Sequence, residues 1–98
     1  MTNQADTSEK IAVIGLGFVG LPLAGTFAEI GMTVTGIDKH PVVLESLKNG
    51  KSHFEEFGLQ ELLDRQLGKN LTITDSLEPG AHDTYVIAVG TPVDPATR

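Results

Sequence analysis

Cysteine is absent from the 98 residues. The chain therefore has no disulfide framework, no thiol nucleophile and no thiolate ligand for a metal. No apolar run approaches the roughly 20 residues of a transmembrane helix, and the opening MTNQADTSEK is polar, without the apolar core of a secretion signal. A membrane is excluded as a partner, and the cytoplasm is the expected setting. Basic residues are also scarce. Seven Lys and Arg stand against thirteen Asp and Glu, for a net charge of −6. The seven are scattered, which argues against a nucleic-acid surface. His40, His53 and His82 lie far apart and lack metal-ligand spacing, so no metal is expected. Internal repeats and low-complexity tracts are missing too. What remains, 40% hydrophobic and 20% charged, is ordinary for one small globular domain.

Residues 11–38, IAVIGLGFVGLPLAGTFAEIGMTVTGID, organise the chain. An apolar run, Ile11 to Ile14, ends in Gly15-Leu-Gly17-Phe-Val-Gly20. A stretch with helical spacing follows and stops at Gly31. A second β-rich run, Thr33 to Ile37, ends in Asp38. Strand, glycine turn, helix, strand and acid, in that order, make the dinucleotide-binding fingerprint in its full context. Gly15 permits the sharp turn out of the strand, Gly17 lets the backbone approach a pyrophosphate, and Gly20 lets the helix pack closely. A helix starting near Phe18 aims its free N–H groups and positive dipole end at the phosphates. Asp38, eighteen residues after Gly20, is placed to accept hydrogen bonds from the adenosine ribose. It would repel a 2′-phosphate, which favours NAD over NADP. The adjacent Lys39 softens that preference.

Residues 1–9 read as a mobile tail. Lys10 to Ile14 is strand one, apolar as a buried parallel strand should be. The helix, Phe18 to Ile30, presents Val19, Leu23, Phe27 and Ile30 near one face, widened by Leu21, Ala24 and Ala28. Pro22 removes one backbone bond near its start, and the mid-helix Gly25 marks close packing on the sheet. His40-Pro41 opens a second helix, with proline in the first turn. Its apolar face is Val42, Val43, Leu44 and Leu47, and Asn49-Gly50 ends it. In the connection KSHFEEF, Phe54 and Phe57 are the candidates for burial. A short amphipathic helix runs from Leu59 to Leu67 and stops at Gly68. Leu71 to Thr74 alternates like a strand, and Asp75 or Ser76 is placed to cap a single helical turn reaching Pro79-Gly80. Thr84 to Val89 is a second fully apolar strand and breaks at Gly90-Thr91-Pro92.

The fold expected is α/β, a Rossmann-type parallel sheet of order 3-2-1-4, cut short as a truncated dinucleotide-binding domain. Gly15–Gly20 and Gly90–Pro92 then converge where the strand order reverses. Glu55 and Glu56, being adjacent, face differently and read as solvated carboxylates. Asp83 reads as the end of a turn.

VIGLGFVGLPLA, then GID, then G-x₅-E-x-G-L-x-x-L-L from Gly50 to Leu63, then VGTPVD, together resemble the N-terminus of the UDP-glucose/GDP-mannose dehydrogenase family. The resemblance covers residues 10–94. Leu21-Pro22-Leu23-Ala24 is most similar to members acting on UDP-N-acetylhexosamines. The resemblance implies an NAD-dependent, two-step oxidation of a nucleotide-sugar C6 alcohol to the uronate. It consumes two NAD and passes through a thioester on a cysteine lying later in the family's chain. It also implies that residues 10–98 are the N-terminal part of the NAD-binding domain, inactive without the rest, so that no catalytic residue is named here. By the same match Gly15, Gly17 and Gly20 form the pyrophosphate turn, Phe18 and Val19 offer amides to the phosphates, Asp38 is the ribose acid, and Thr91 and Pro92 lie near the nicotinamide. Phe18 replaces a frequent tyrosine. Phe57 stands in place of the family's usual proline. Val93 stands where UDP-glucose dehydrogenases place a threonine, which weakens an assignment to UDP-glucose.

Two alternatives stay open from the residues alone. One is the NAD-binding domain of a hydroxyacid or 6-phosphogluconate-type dehydrogenase, and the other is a nucleotide-binding module without chemistry. With the chain ending right after strand four, that open, apolar edge predicts self-association.

Overall fold

Four parallel strands and three helices follow one another along residues 9–88, the span described by a computed structural model of the chain. They are β1 (Lys10–Ile14), α1 (Gly20–Glu29), β2 (Thr33–Ile37), α2 (Pro41–Lys48), α3 (Leu59–Gln66), β3 (Leu71–Thr74) and β4 (Thr84–Ile87). The sheet order is β3-β2-β1-β4, with every pair parallel, as the sequence predicts. Ile14 lies opposite Ile37 on one side and Ile87 on the other. Val89, the last residue of the strand expected from Thr84, lies outside the described residues, as do Gly90, Thr91, Pro92 and Val93.

Both helical connections, β1 to β2 and β2 to β3, step the same way across the sheet. Right-handed crossovers therefore place α1 and α3 on one face. There Ile11, Val13, Val34 and Leu71 pack with Leu21, Ala24 and Ala28 of α1 and Leu59 and Leu63 of α3. Side chains alternate along a strand, so Ala12, Ile14, Thr35, Ile37, Tyr85 and Ile87 belong to the opposite face. No helix among the described residues covers that face. The β3–β4 crossover runs over it instead: His82 Nε2 lies 2.9 Å from Thr35 Oγ1, and its ring meets Tyr85 edge-on at 5.7 Å. Asp83 does more than end a turn. It donates its amide to the Lys10 carbonyl at 2.8 Å and accepts the Lys10 amide on Oδ2 at 2.9 Å, fixing β4 against β1.

The structure corrects several local expectations. α1 is shorter than Phe18–Ile30, so Val19 and Ile30 fall beyond its ends and are 68% and 64% exposed. Its buried seam is Leu21, Ala24, Gly25 and Ala28. Gly25 packs on α3 rather than on the sheet. A Cβ there would lie 2.8 Å from Leu62 Cδ2. The C-terminal end of α1 is joined to α3 as well. Glu29 Oε1 accepts from Gln66 Nε2 at 2.9 Å and Arg65 Nε at 3.3 Å, and these bonds hold the Glu29 carboxyl below the usual carboxylate range.

Pro22 fits the expectation. Leu21 and Leu23 donate to the Gly17 and Val19 carbonyls, and Pro22, between them, has no N–H to offer Phe18. α2 does open at His40-Pro41, with His40 Nδ1 accepting from the Val42 amide at 3.2 Å. Its apolar face is narrower than predicted, since Val42 is exposed and only Leu47 is fully buried. Phe54 packs against the core, but Phe57 is fully exposed. The chain turns at Gly58, with φ +82°, so that Leu59 enters the core in its place. The helical turn expected after Asp75 does not form. A hydrogen-bonded turn from Glu78 to Ala81 takes its place, at 3.2 Å.

Candidate cofactor site

β1 ends at Ile14 and the chain swings through Gly15, whose φ of +99° disfavours any residue with a Cβ. The Gly15 amide donates to the Ile37 carbonyl at 2.8 Å, extending the β1–β2 ladder into the turn. Leu16 then points into the core, fully buried, against Gly36 of β2. Gly20 closes the bend. A Cβ there would stand 1.7 Å from the Gly15 carbonyl oxygen and 3.2 Å from Ala88 Cβ. Gly17 differs from both, since a Cβ would meet nothing within 4 Å. Its missing side chain thus leaves space on the open side of the turn rather than inside the fold. The amides of Gly17, Phe18 and Val19 make no hydrogen bond among the described residues. They sit just ahead of α1, where a helix presents its positive dipole end.

Asp38 leaves β2 and meets this turn. Its Oδ2 accepts the Leu16 amide at 2.9 Å and its Oδ1 accepts the His40 amide at 2.9 Å, while its own amide donates to Thr74 of β3 at 3.2 Å. Each carboxylate oxygen keeps a further lone-pair site for a ligand hydroxyl.

Two clefts meet here. One, of about 440 Å³, is lined by Gly15, Leu16, Gly17, Phe18, Val19, Asp38 and Ala88. The other, of about 510 Å³, is lined by Ile14, Gly15, Ile37, Asp38, Lys39, Asp75, Ser76 and Leu77. Gly15 and Asp38 belong to both, so the clefts form one trough along the carboxyl ends of the strands. That is where open α/β sheets bind ligands. Larger clefts of about 670 Å³ and 640 Å³ lie beside the 52–61 segment and on the helix-free face. Neither includes the unpaired amides or Asp38.

Of the residues expected at the site, Gly15, Gly17, Phe18, Val19 and Asp38 come together in the first cleft, and Lys39 lines the second. Gly20 stands behind the turn as packing. Gly90, Thr91 and Pro92 lie outside the described residues, although Ala88 already forms wall. Asp75, Ser76 and Leu77 were missed. They follow a parallel strand at its carboxyl end, and that position was the available signal. The α2–α3 connection was missed too. The Phe54 ring lies edge-on to Phe18, with centroids 4.6 Å apart. Next to it, burial holds the His53 imidazole below its ordinary value, against the opposing pull of the Asp38 charge.

A trough with unpaired amides at one end and a ribose-competent acid in the middle suits a dinucleotide. Residues 9–97 match the model of the UDP-glucose/GDP-mannose dehydrogenase family, NAD binding domain. The chain belongs to that family. The UDP-glucose 6-dehydrogenase TuaD of Bacillus subtilis is 43% identical over 88 residues, covering 87% of this chain and 19% of that protein. The UDP-N-acetyl-D-mannosamine dehydrogenase of Methanococcus maripaludis strain C7 is 40% identical over 85 residues, covering 86% and 19%. Among solved structures, a UDP-glucose dehydrogenase from Pyrobaculum islandicum superposes with a TM-score of 0.83 at 38% identity, over 97% of this chain and 23% of that one. The chain thus spans about a fifth of these family members. The matched segment is the family's NAD-binding domain, and the hydroxyacid and 6-phosphogluconate alternatives fall away with that match. No helix among the described residues is long and apolar enough to cross a membrane.

Proposed function

We propose that residues 10–98 form the N-terminal part of an NAD-binding domain that serves a nucleotide-sugar 6-dehydrogenase. In this reading the amides of Gly17, Phe18 and Val19 receive the pyrophosphate. Asp38 holds the adenosine ribose hydroxyls, with Lys39 beside it, and Ile37 and Leu77 flank the adenine. Gly90, Thr91 and Pro92 serve the nicotinamide end of the cofactor. When bound, NAD supplies the hydride acceptor. This chain's own residues bind and orient it, and the carboxylate of Asp38 excludes a 2′-phosphate.

The substrate of the whole protein is read as a UDP-sugar. Its C6 alcohol is taken to the carboxylate with two NAD and one water, releasing two NADH. The relatives' names support this class, and Leu21-Pro22-Leu23-Ala24 favours a UDP-N-acetylhexosamine. The family mechanism needs a cysteine, so the 98-residue chain by itself is expected to turn over no UDP-sugar. A cytoplasmic setting and self-association through β4 belong to the same reading.

The observation that carries the proposal is Asp38 bound to the Leu16 amide beside three unpaired amides. Calorimetry on the chain with NAD and NADP tests it. NAD should bind, and more tightly than NADP. Equal or tighter binding of NADP would overturn the role given to Asp38.

A further inference from the structure

The unpaired amides of Gly17, Phe18 and Val19 need a fixed direction to receive a ligand. On one side the turn is tied by the Leu16–Asp38 bond at 2.9 Å. On the other, the Leu21 amide donates to the Gly17 carbonyl at 3.1 Å and the Leu23 amide to the Val19 carbonyl at 3.2 Å. Phe18, in the middle, has neither kind of tie, because Pro22 has no N–H to offer its carbonyl. The residue is 75% exposed. The Phe54 ring packs against its ring edge-on, at 4.6 Å and 62°.

Phe54 is itself a fixed post. It packs against the hydrophobic core, and the His53 ring braces it edge-on at 4.9 Å. Its connection is splinted to α3. Gln60 Nε2 donates to the Gly50 carbonyl at 2.8 Å, the Ser52 amide donates to Gln60 Oε1 at 3.0 Å, and the Phe54 amide donates to Ser52 Oγ at 3.2 Å. A rigid segment thus reaches across the fold and touches Phe18, which lacks a backbone tie among the described residues.

We propose that Phe54 is a positioning residue for the pyrophosphate, holding the Phe18 ring and, through it, the amides of the Gly17–Val19 turn. The inference deepens the cofactor reading above and rests on it. An edge-to-face aromatic pair is strong enough to change affinity roughly three- to tenfold.

A double-mutant cycle on the 98-residue chain tests this, using calorimetry with NAD on the unaltered chain, Phe18→Leu, Phe54→Leu and the double variant. Each single change should weaken NAD roughly three- to tenfold, and the double variant should bind no worse than the weaker single. Phe54→Tyr, which keeps the ring, should bind as the unaltered chain does. Adenosine, which lacks phosphates, should bind Phe54→Leu undiminished when titrated by NMR. Additive losses, an equal loss for adenosine, or a Tyr variant as weak as the Leu variant would each overturn the proposal. Phe18→Leu alters an exposed side chain and leaves the core intact, so its undiminished affinity would overturn it even if Phe54→Leu failed to fold. No NAD binding by the unaltered chain would overturn the cofactor reading and this inference with it. NAD binding that both leucine variants share in full would overturn this inference alone.

Discussion

The Leu16 amide donates to Oδ2 of Asp38 at 2.9 Å, across twenty-two positions of sequence. One carboxylate thus shapes the glycine turn and lines the trough at once. Removing its charge should be felt in both roles. Asp38→Asn keeps the shape but leaves one neutral acceptor oxygen where two charged ones serve the Leu16 and His40 amides, so one of those amides then faces an NH2 donor. Binding of NAD should fall roughly tenfold or more, NADP should no longer be disfavoured, and the melting temperature should drop. Calorimetry with both dinucleotides and a thermal melt measure the three effects. An unchanged ratio of NAD to NADP affinity would take Asp38 out of the site.

Gly17 and Gly20 should separate binding from folding. At Gly17 a side chain enters open space, so Gly17→Val should keep the circular dichroism of the fold and lose NAD binding. At Gly20 a Cβ collides with the Gly15 backbone at 1.7 Å. Gly20→Ala should therefore cost about 3 kcal/mol or more of stability. Unchanged NAD affinity in Gly17→Val would remove the turn from the site.

His53 should make the fold sensitive to mild acid. Burial lowers its folded-state pKa, so the unfolded chain takes up the proton first as pH falls below the ordinary histidine value of about 6.5. The unfolded state then binds more protons than the folded state, and stability falls with pH in that window. Above it the contribution is fully present. His53→Gln should flatten this part of the profile, as read from urea midpoints at successive pH values. A variant that loses stability as steeply as the unaltered chain would assign the effect to other groups.

β4 has no strand on its outer side among the described residues, and Ile87 is 71% exposed. Such edges pair with other chains. The 98-residue chain should self-associate as concentration rises in sedimentation, and Ile87→Lys should shift it toward monomer. An unaltered chain that stays monomeric at high concentration would contradict the expectation.

The sheet was legible because its strands are short apolar runs, and their order followed from the handedness of the crossovers. The glycine turn was legible because three glycines, a strand and an acid fix one another's meaning. Side-chain partners were not. Nothing local in the sequence tells that Gly25 makes room for Leu62, thirty-seven positions away. Phe54 and Phe57 looked equivalent in the sequence, and only the turn at Gly58 sends one inward and the other out. Leu77 entered the trough from a segment whose composition pointed to a helical turn, so position at a strand's end outweighed composition.

Leu16 lies between two glycines of the turn, yet its side chain is wholly inside the core, pressed against Gly36. The glycine turn is therefore a tongue of the interior rather than a surface appendage. Its N–H should exchange with solvent only when the whole domain opens. A dinucleotide gripping such a tongue stabilises the entire fold by mass action, so occupancy of the trough can be read from the melting of residues far from it.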